Sequence, residues 1–215
     1  MSDTFSILIL TQTNNVHVQR WLDGLRARGH RVKVLARESH TDPDVYGPPA
    51  WMQRIAPLRK VYQLLAFWYL LVVFRPQVLH QQWFQISHLA PFFPRRLPLI
   101  ISAWGMDIVR EWTPQERDAI QRYAQRAAAI VCLSRFLAAY TEQLLHRPVD
   151  LVYWGVELQR FAPRAPEPHT DFRIGFMKHL APKYAPDIAL AAFARIKARV
   201  PHATLHLYGA GPMHD

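Results

Sequence analysis

Two lysines five residues apart, Lys178 and Lys183, stand where a short apolar run gives way to a helical one. Cations placed there, beside the partial positive charge of a helix N-terminus, suit the oxygens of a phosphate group. Gly209 and Gly211 follow the next apolar run, and glycines let a backbone approach a phosphate or ribose closely. Taken alone, loop lysines are commonly solvated charges and Gly-x-Gly is common in turns. Other polar or small residues follow the earlier apolar runs: Asn14, Asn15 and His17, then His80, then Trp104, Gly105 and Asp107. Ligands of open parallel sheets bind beyond the carboxyl ends of the strands, so these residues are the candidates for a cleft. Each also has a structural reading. Asn14 or Asn15 serves as a helix cap, His17 as an exposed first-turn residue, His80 as a satisfied core histidine, and Asp107 as a helix-start cap.

Other chemistries find little support. The 11 histidines include no helical pair with a nearby carboxylate of the kind zinc enzymes use. Asp42-Pro43-Asp44 has metal-ligand spacing but lies in a Pro/Gly-rich loop, and no metal is expected there. The lone cysteine, Cys132, sits in the apolar run Ala-Ile-Val-Cys-Leu, where a buried thiol is inert. No catalytic triad is visible.

The elements that position these residues follow from hydrophobic periodicity. Strands are expected at residues 5–11, 31–36, 77–80, 99–103, 129–133 and 150–153. Val18, Trp21, Leu22 and Leu25 share one helical face, and Gly29 ends that helix. Thr113 and Glu116 form a capping box with Pro114 at the first helical position, opening a helix to about residue 128. Ser134 caps the next helix. Residues 41–50 read as a loop. After a proline-rich stretch the pattern restarts, with strand 172–177, helix 186–199 and strand 203–208. Strict alternation of strands and helices implies parallel sheets covered on both faces. The expected organisation is a first Rossmann-like domain over 1–161, a linker over 162–171, and the start of a second domain over 172–215. Strand–helix–strand is too little to bury a core, so about 120–150 further residues are expected to complete the second domain, on the usual domain size.

Formal net charge is +10, from 26 Lys+Arg against 16 Asp+Glu. That balance implies an anionic partner without choosing among phosphorylated substrate, acidic lipid and nucleic acid. The basic residues are scattered and no nucleic-acid motif is present, so nucleic acid is not expected. The N-terminus shows no basic stretch leading into an apolar core, so no signal peptide is expected. The longest apolar stretch, residues 62–74, is shorter than the ~18–20 residues that span a bilayer. It reads as a buried packing helix or as one resting on a membrane, with Arg54, Arg59 and Lys60 at anionic headgroups.

Together the strand-end motifs resemble the retaining, GT-B-fold glycosyltransferases of family 4. Arg-Gly-His-Arg-Val (28–32) resembles a Gly-His-x-Val element, and Arg-Pro-Gln-Val-Leu-His (75–80) a Pro-Asp-Val-x-His strand. Ser102-Ala-Trp-Gly-Met-Asp107 is similar to Thr-x-His-Gly-x-Asp, and Ala-Ala-Ala-Ile-Val-Cys-Leu-Ser (127–134) to a strand ending in serine. The run Tyr-Trp-Gly-Val-Glu-Leu-Gln-Arg-Phe-Ala-Pro (153–163) resembles Pro-Asn-Gly-Val-Asp-x-x-x-Phe-x-Pro and is the most specific of the set. Residues 176–187 resemble the basic strand-to-helix loop of the donor domain, and Tyr-Gly-Ala-Gly-Pro (208–212) its glycine loop. The sequence departs from the pattern at Trp104, where the family has a histidine expected to touch the donor sugar. It also departs at Gln77, at Trp154, and at Ala185, which holds a glycine's place one residue late.

The resemblance implies an α/β protein of two Rossmann-like domains. It implies sugar transfer from a UDP- or GDP-sugar to a saccharide or lipid-linked acceptor, in cell-surface polysaccharide or glycolipid synthesis. Lys178, Lys183, Gly209 and Gly211 become the donor-binding set. Asn14, Asn15, His17, His80, Trp104, Gly105 and Asp107 become the acceptor-side set. No cofactor beyond the nucleotide-sugar co-substrate is implied, and no metal. An anionic membrane surface is a further partner, with a cytoplasmic location, peripheral on the inner face. The residues 1–215 alone are expected to be inactive. A nucleotide-sugar epimerase or non-catalytic relative is the alternative that Trp104 keeps open, ahead of a basic nucleic-acid-binding module.

Overall fold

The computed structural model describes residues 4–12, 16–38, 40–163 and 171–214. They form two compact units, Met1–Gly155 and Val156–Asp215.

In the first unit the elements run β1 (Ser6–Leu10), α1 (Val16–Ala27), β2 (Arg31–Leu35), β3 (Val45–Tyr46), α2 (Ala50–Gln53), α3 (Ala56–Val73), β4 (Val78–Gln82), β5 (Leu99–Ala103), α4 (Pro114–Ala124), β6 (Ala129–Cys132), α5 (Arg135–Leu145) and β7 (Asp150–Leu151). The strands build one parallel seven-stranded sheet in the order β3-β2-β1-β4-β5-β6-β7. Chain order reverses between β1 and β4, which makes their carboxyl ends the switch point of a doubly wound sheet.

All five residues of β1, Ser-Ile-Leu-Ile-Leu, are buried, as a central parallel strand requires. The period of two divides them. Leu8 and Leu10 join a core with Phe67, Leu70, Leu79, Ile101, Ile120 and Ile130 on one face. Ile7 and Ile9 join Val18, Leu22, Val32 and Val34 on the other.

The helix starts are as the spacing implies. Thr113 and Glu116 complete a reciprocal capping box at α4, and the Ser134 hydroxyl accepts from the Leu137 N–H at α5. Cys132 is buried and donates to Thr141 Oγ1 at 3.5 Å; burial pushes its thiol up.

Three boundaries differ from expectation. Helix α4 ends at Ala124 rather than near residue 128. Arg147 donates to the Ala124 and Ala127 carbonyls there, at 2.5 and 3.1 Å, and so caps the helix from another element. β7 is two residues long. The loop at 41–50 contains a strand, β3, because the Val34 and Ala36 N–H groups donate to Asp44 and Tyr46 carbonyls, each at 2.9 Å. Asp42 and Asp44 both accept from Arg26, and Asp44 also from Lys33 at 2.6 Å, so these carboxylates pin β3 against α1 and β2.

Helix α3 buries Gln63, Phe67 and Leu70. Its other side exposes Leu58, Val61, Leu65, Trp68 and Val72. No helix of the described residues is long and apolar enough to cross a membrane.

The second unit comprises β8 (Arg173–Phe176), α6 (Pro186–Arg199) and β9 (Thr204–Leu207), the two strands pairing in parallel. Of its apolar side chains, Leu180, Pro186 and Ala203 are buried, whereas Phe172, Ile188, Leu190 and Leu207 are exposed.

Candidate functional site

At the carboxyl edge of the large sheet, the residues after β4 and β5 meet the first turn of α1 and the segment after β7. His17 stacks on Trp154, ring centroids 3.8 Å apart and nearly parallel at 18°. Trp104 stands edge-on to His17, Trp83 and Trp154 at 5.9, 6.1 and 5.4 Å. Burial, then the charge of Arg20, holds His17 below the ordinary imidazole range. A neutral imidazole on a tryptophan face is an aromatic platform rather than a cation. Beside it, His17, Trp21, Tyr153 and Trp154 line a cavity of about 320 Å³.

The Trp104–Asp107 turn is held by one carboxylate. Asp107 accepts N–H bonds from Trp104 at 3.0 Å, Gly105 at 2.7 Å and Phe84 at 2.7 Å, tying the ends of β4 and β5 together. Gly105 sits at φ 129°, which excludes a side chain. Asp107 is 6% exposed, and burial outweighs the donors and pushes its carboxyl up. Its carboxylate clamps the loop, and the residue also lines a cavity of about 350 Å³ with Phe84, Met106 and Arg110. His80 is also buried, at 4% exposure. Its Nε2 lies 2.8 Å from Ser102 Oγ, and its ring packs edge-on against Trp21. Burial pushes it down to about 4, so it is neutral near pH 7. Its ring is buried and hydrogen-bonded at the end of β4. Asn14 and Asn15 lie outside the described residues.

A third cavity, of about 350 Å³, opens at the switch point itself, between the ends of β1 and β4 and the start of α3. Gln12, Arg37, Arg59, Lys60, Gln82, Trp83 and His88 are among its lining. Neighbouring glutamines at the end of β4 contrast sharply. Gln81 donates to the Trp83 and Gln85 carbonyls at 3.0 and 2.6 Å and accepts from Tyr123 Oη at 2.5 Å. Gln82, 1% exposed, has no partner for either amide atom among the described residues. The Trp104 indole N–H is likewise buried without a partner among the described residues. Trp83 sits at φ 89°, a conformation costing about 1–3 kcal/mol for a bulky residue, and is held there by its N–H bond to Ser102 O at 3.1 Å. Sequence reasoning marked the segment after this strand as a ligand edge but did not single out Gln82. Its signal is position alone, since burial without a partner is visible only in three dimensions.

In the second unit, Lys178 and Lys183 are brought to one ring. Their Nζ atoms lie 5.8 and 4.7 Å from the centre of Tyr184. Ala185, at φ 51°, turns the chain into α6, whose first turn has no side-chain cap. The glycine loop after β9 packs directly on the loop after β8. A Cβ at Gly209 would overlap the Lys178 carbonyl oxygen, and one at Gly211 the Leu180 carbonyl. The Leu180 N–H donates to Ala210 O at 2.9 Å. The lysines and glycines singled out in the sequence thus share one strand edge, with backbone N–H groups of a helix start beside them.

The doubly wound parallel sheet, with its polar groups gathered at the carboxyl edge, is the framework of a GT-B glycosyltransferase domain. The model of Glycosyltransferase Family 4 matches residues 15–160, more than half of the chain, and the chain belongs to that family. No protein of curated function matches it by sequence. Among solved structures, a sucrose-phosphate synthase from Thermosynechococcus elongatus superposes with TM-score 0.66 at 13% identity, over 98% of this chain and 64% of its own. HepE from Anabaena, solved in complex with UDP and glucose, superposes with TM-score 0.62 at 16% identity, over 96% of this chain and 61% of its own. The spinosyn rhamnosyltransferase SpnG, complexed with thymidine diphosphate, gives TM-score 0.51 at 16% identity, over 97% and 66%. At these identities the likeness establishes the GT-B fold. The chain spans about 64% and 61% of the length of the first two.

Proposed function

We propose that this chain belongs to an enzyme that moves a sugar from a nucleotide-sugar, UDP- or GDP-linked, to a saccharide or lipid-linked acceptor, with retention of configuration. On this reading residues 1–161 bind the acceptor, 162–171 link, and 172–215 begin the donor side. The observation that carries the reading is the gathering of Lys178, Lys183, Gly209 and Gly211 at one strand edge beside an uncapped helix start. HepE and SpnG, which share the fold, were solved with UDP and with thymidine diphosphate.

As the bond from the anomeric carbon to phosphate breaks, negative charge grows on the departing nucleoside diphosphate. Fixed cations and N–H groups aimed at those oxygens stabilise it without metal. The acceptor hydroxyl attacks from the leaving group's own face, and its proton passes to a departing phosphate oxygen. No side-chain nucleophile is required. Replacing both Lys178 and Lys183 by alanine in the full-length protein should lower kcat/KM for transfer by roughly 10²–10³-fold, the scale of losing one such donor. Unchanged turnover would reject the diphosphate assignment. Trp104, in place of a histidine, favours one second reading, a nucleotide-sugar epimerase or a non-catalytic relative. Assays of donor hydrolysis, epimerisation and transfer on one preparation separate the readings.

We also propose that α3 rests on the cytoplasmic face of an anionic membrane, in the service of polysaccharide or glycolipid synthesis. Its exposed Leu58, Val61, Leu65, Trp68 and Val72 form one stripe, Phe92 packs edge-on against Trp68 at 6.3 Å, and Arg54, Lys60, Arg95 and Arg96 are exposed nearby. Co-sedimentation with phosphatidylglycerol vesicles, lost in Leu65→Glu, is the expected result. Equal recovery with neutral phosphatidylcholine vesicles would sink the charge argument.

A further inference from the structure

The switch-point cavity has a one-sided chemistry. Arg37, Arg59, Lys60 and His88 all line it, and among the described residues no carboxylate does. None of the three cations forms an ion pair among the described residues. By contrast Arg26 and Lys33, nearby in sequence, are paired with Asp42 and Asp44. Single guanidinium N–H groups are engaged, Arg59 with Gln53 O at 2.8 Å and Arg37 with Gln12 Oε1 at 3.5 Å. A guanidinium carries five donors, so most remain for a ligand. Burial, and then the charges of Lys60 and Arg59, hold His88 below the ordinary imidazole range. The cavity therefore senses its own positive potential.

Like charges held together without a counter-ion are unfavourable, and an unpartnered buried amide is unfavourable as well. The fold places both kinds of group around one space. Both are relieved by one kind of ligand, an anion carrying hydroxyl groups.

We propose that the cavity between β1, β4 and α3 binds the anionic group of a phosphorylated, hydroxyl-bearing acceptor, with Arg37, Arg59 and Lys60 on the phosphate and Gln82 on a hydroxyl. The phosphate belongs either to a soluble sugar phosphate or to a lipid headgroup. The word acceptor rests on the transferase reading; the binding chemistry does not. Failure of donor turnover therefore leaves this site standing, and failure of this site leaves the donor lysines standing.

The test is binding without donor present. Glucose phosphate and inorganic phosphate are titrated into the protein, with unphosphorylated glucose as control, by calorimetry and by histidine NMR. Glucose phosphate should bind most tightly. The His88 resonance, assigned with a His88→Gln variant, should move its midpoint upward when phosphate fills the site. The Arg37→Gln, Lys60→Gln double variant should bind about tenfold or more weakly, as expected for losing charge-assisted bonds. Gln82→Leu should weaken glucose phosphate but not inorganic phosphate. A second arm uses phosphatidylglycerol vesicles with the Leu65→Glu variant, which leaves the cavity intact. Soluble probes that still bind Leu65→Glu mark a sugar phosphate as the source. Binding seen only with vesicles, and lost in Arg37→Gln alone, which leaves the headgroup cations of α3 in place, marks a lipid headgroup. Equal binding of glucose and glucose phosphate, no binding of any probe, or full binding by the double variant would overturn the proposal.

Discussion

The first unit seals apolar side chains against both faces of its sheet, whereas within residues 1–215 most of those of the second are exposed. β1 is buried along its whole length, and α1, α3, α4 and α5 each commit a stripe to one of the two cores. β8 and β9 have no fully buried residue, and α6 buries only Pro186 while exposing Ile188 and Leu190. Two strands and a helix cannot enclose a core, because most of what they bury has only one partner surface. The helix starts follow the same division. α4 and α5 are closed by Thr113, Glu116 and Ser134, but α6 begins at Ala185 without a side-chain cap. The α4 and α5 starts are closed by side chains, whereas the α6 start, uncapped, lies beside Lys183 in sequence.

The largest stability effect should separate the units outright. Phe67→Ala empties a fully buried site in the larger core and should cost about 3–5 kcal/mol. Leu190→Ala, on exposed α6, should change stability by no more than about 0.5 kcal/mol. Urea unfolding of both variants tests this, and comparable losses would break the contrast.

Next comes acid. His80 titrates near 4 when folded and near ~6.5 when unfolded. The unfolded state thus takes the proton first, so stability is full above about pH 6.5 and declines toward pH 4, by roughly 3 kcal/mol. Urea midpoints measured across that range should flatten in His80→Gln. A profile unaltered by the substitution would mean that His80 is not the group responsible.

Within the first unit, the adjacent glutamines sharpen the point that burial and satisfaction are separate. Gln81→Leu strands the Tyr123 hydroxyl and two carbonyls and should destabilise by about 1–3 kcal/mol. Gln82→Leu removes an amide with nothing to lose and should be neutral or raise Tm. Equal destabilisation by the two would show that Gln82 has partners after all. The smallest effect concerns the open helix start. Ala185 at φ 51° carries a left-handed penalty of about 1–2 kcal/mol, so Ala185→Gly should stabilise the second unit, read as slower amide exchange in α6. Faster exchange would argue that chain entropy outweighs the relief.

Much of this was legible in the residues. Helix α6 falls at the residues expected for it, because Pro186 fixes its start and the apolar strands on either side bound it. The Thr113–Glu116 box is local chemistry that any environment would leave intact. The central strands are apolar runs, since parallel strands are buried on both faces. β3 was not legible. Its two residues pair only because Asp42 and Asp44 are drawn to Arg26 and Lys33 across a loop. The end of α4 was set by Arg147, twenty-three residues downstream of Ala124. Of the candidate site, the strand-end positions were readable but their states were not. His80 and Asp107 turned inward to hydrogen bonds, while Trp104 joined a cluster with His17, Trp83 and Trp154.

By itself, the sequence determined the alternation of strands and helices, the helix caps, the excess of positive charge, and the presence of lysines and glycines after the last two strands. The charge is a sum over composition, and the others depend on neighbours within a turn or a strand. Only the tertiary structure decided that, among the described residues, Gln81 is satisfied and Gln82 is not, and that Arg37, Arg59, Lys60 and His88 face one space with no described carboxylate. Partners and counter-charges come from β1, β2, α3 and β4 together, and no local pattern specifies what such distant segments will supply or withhold.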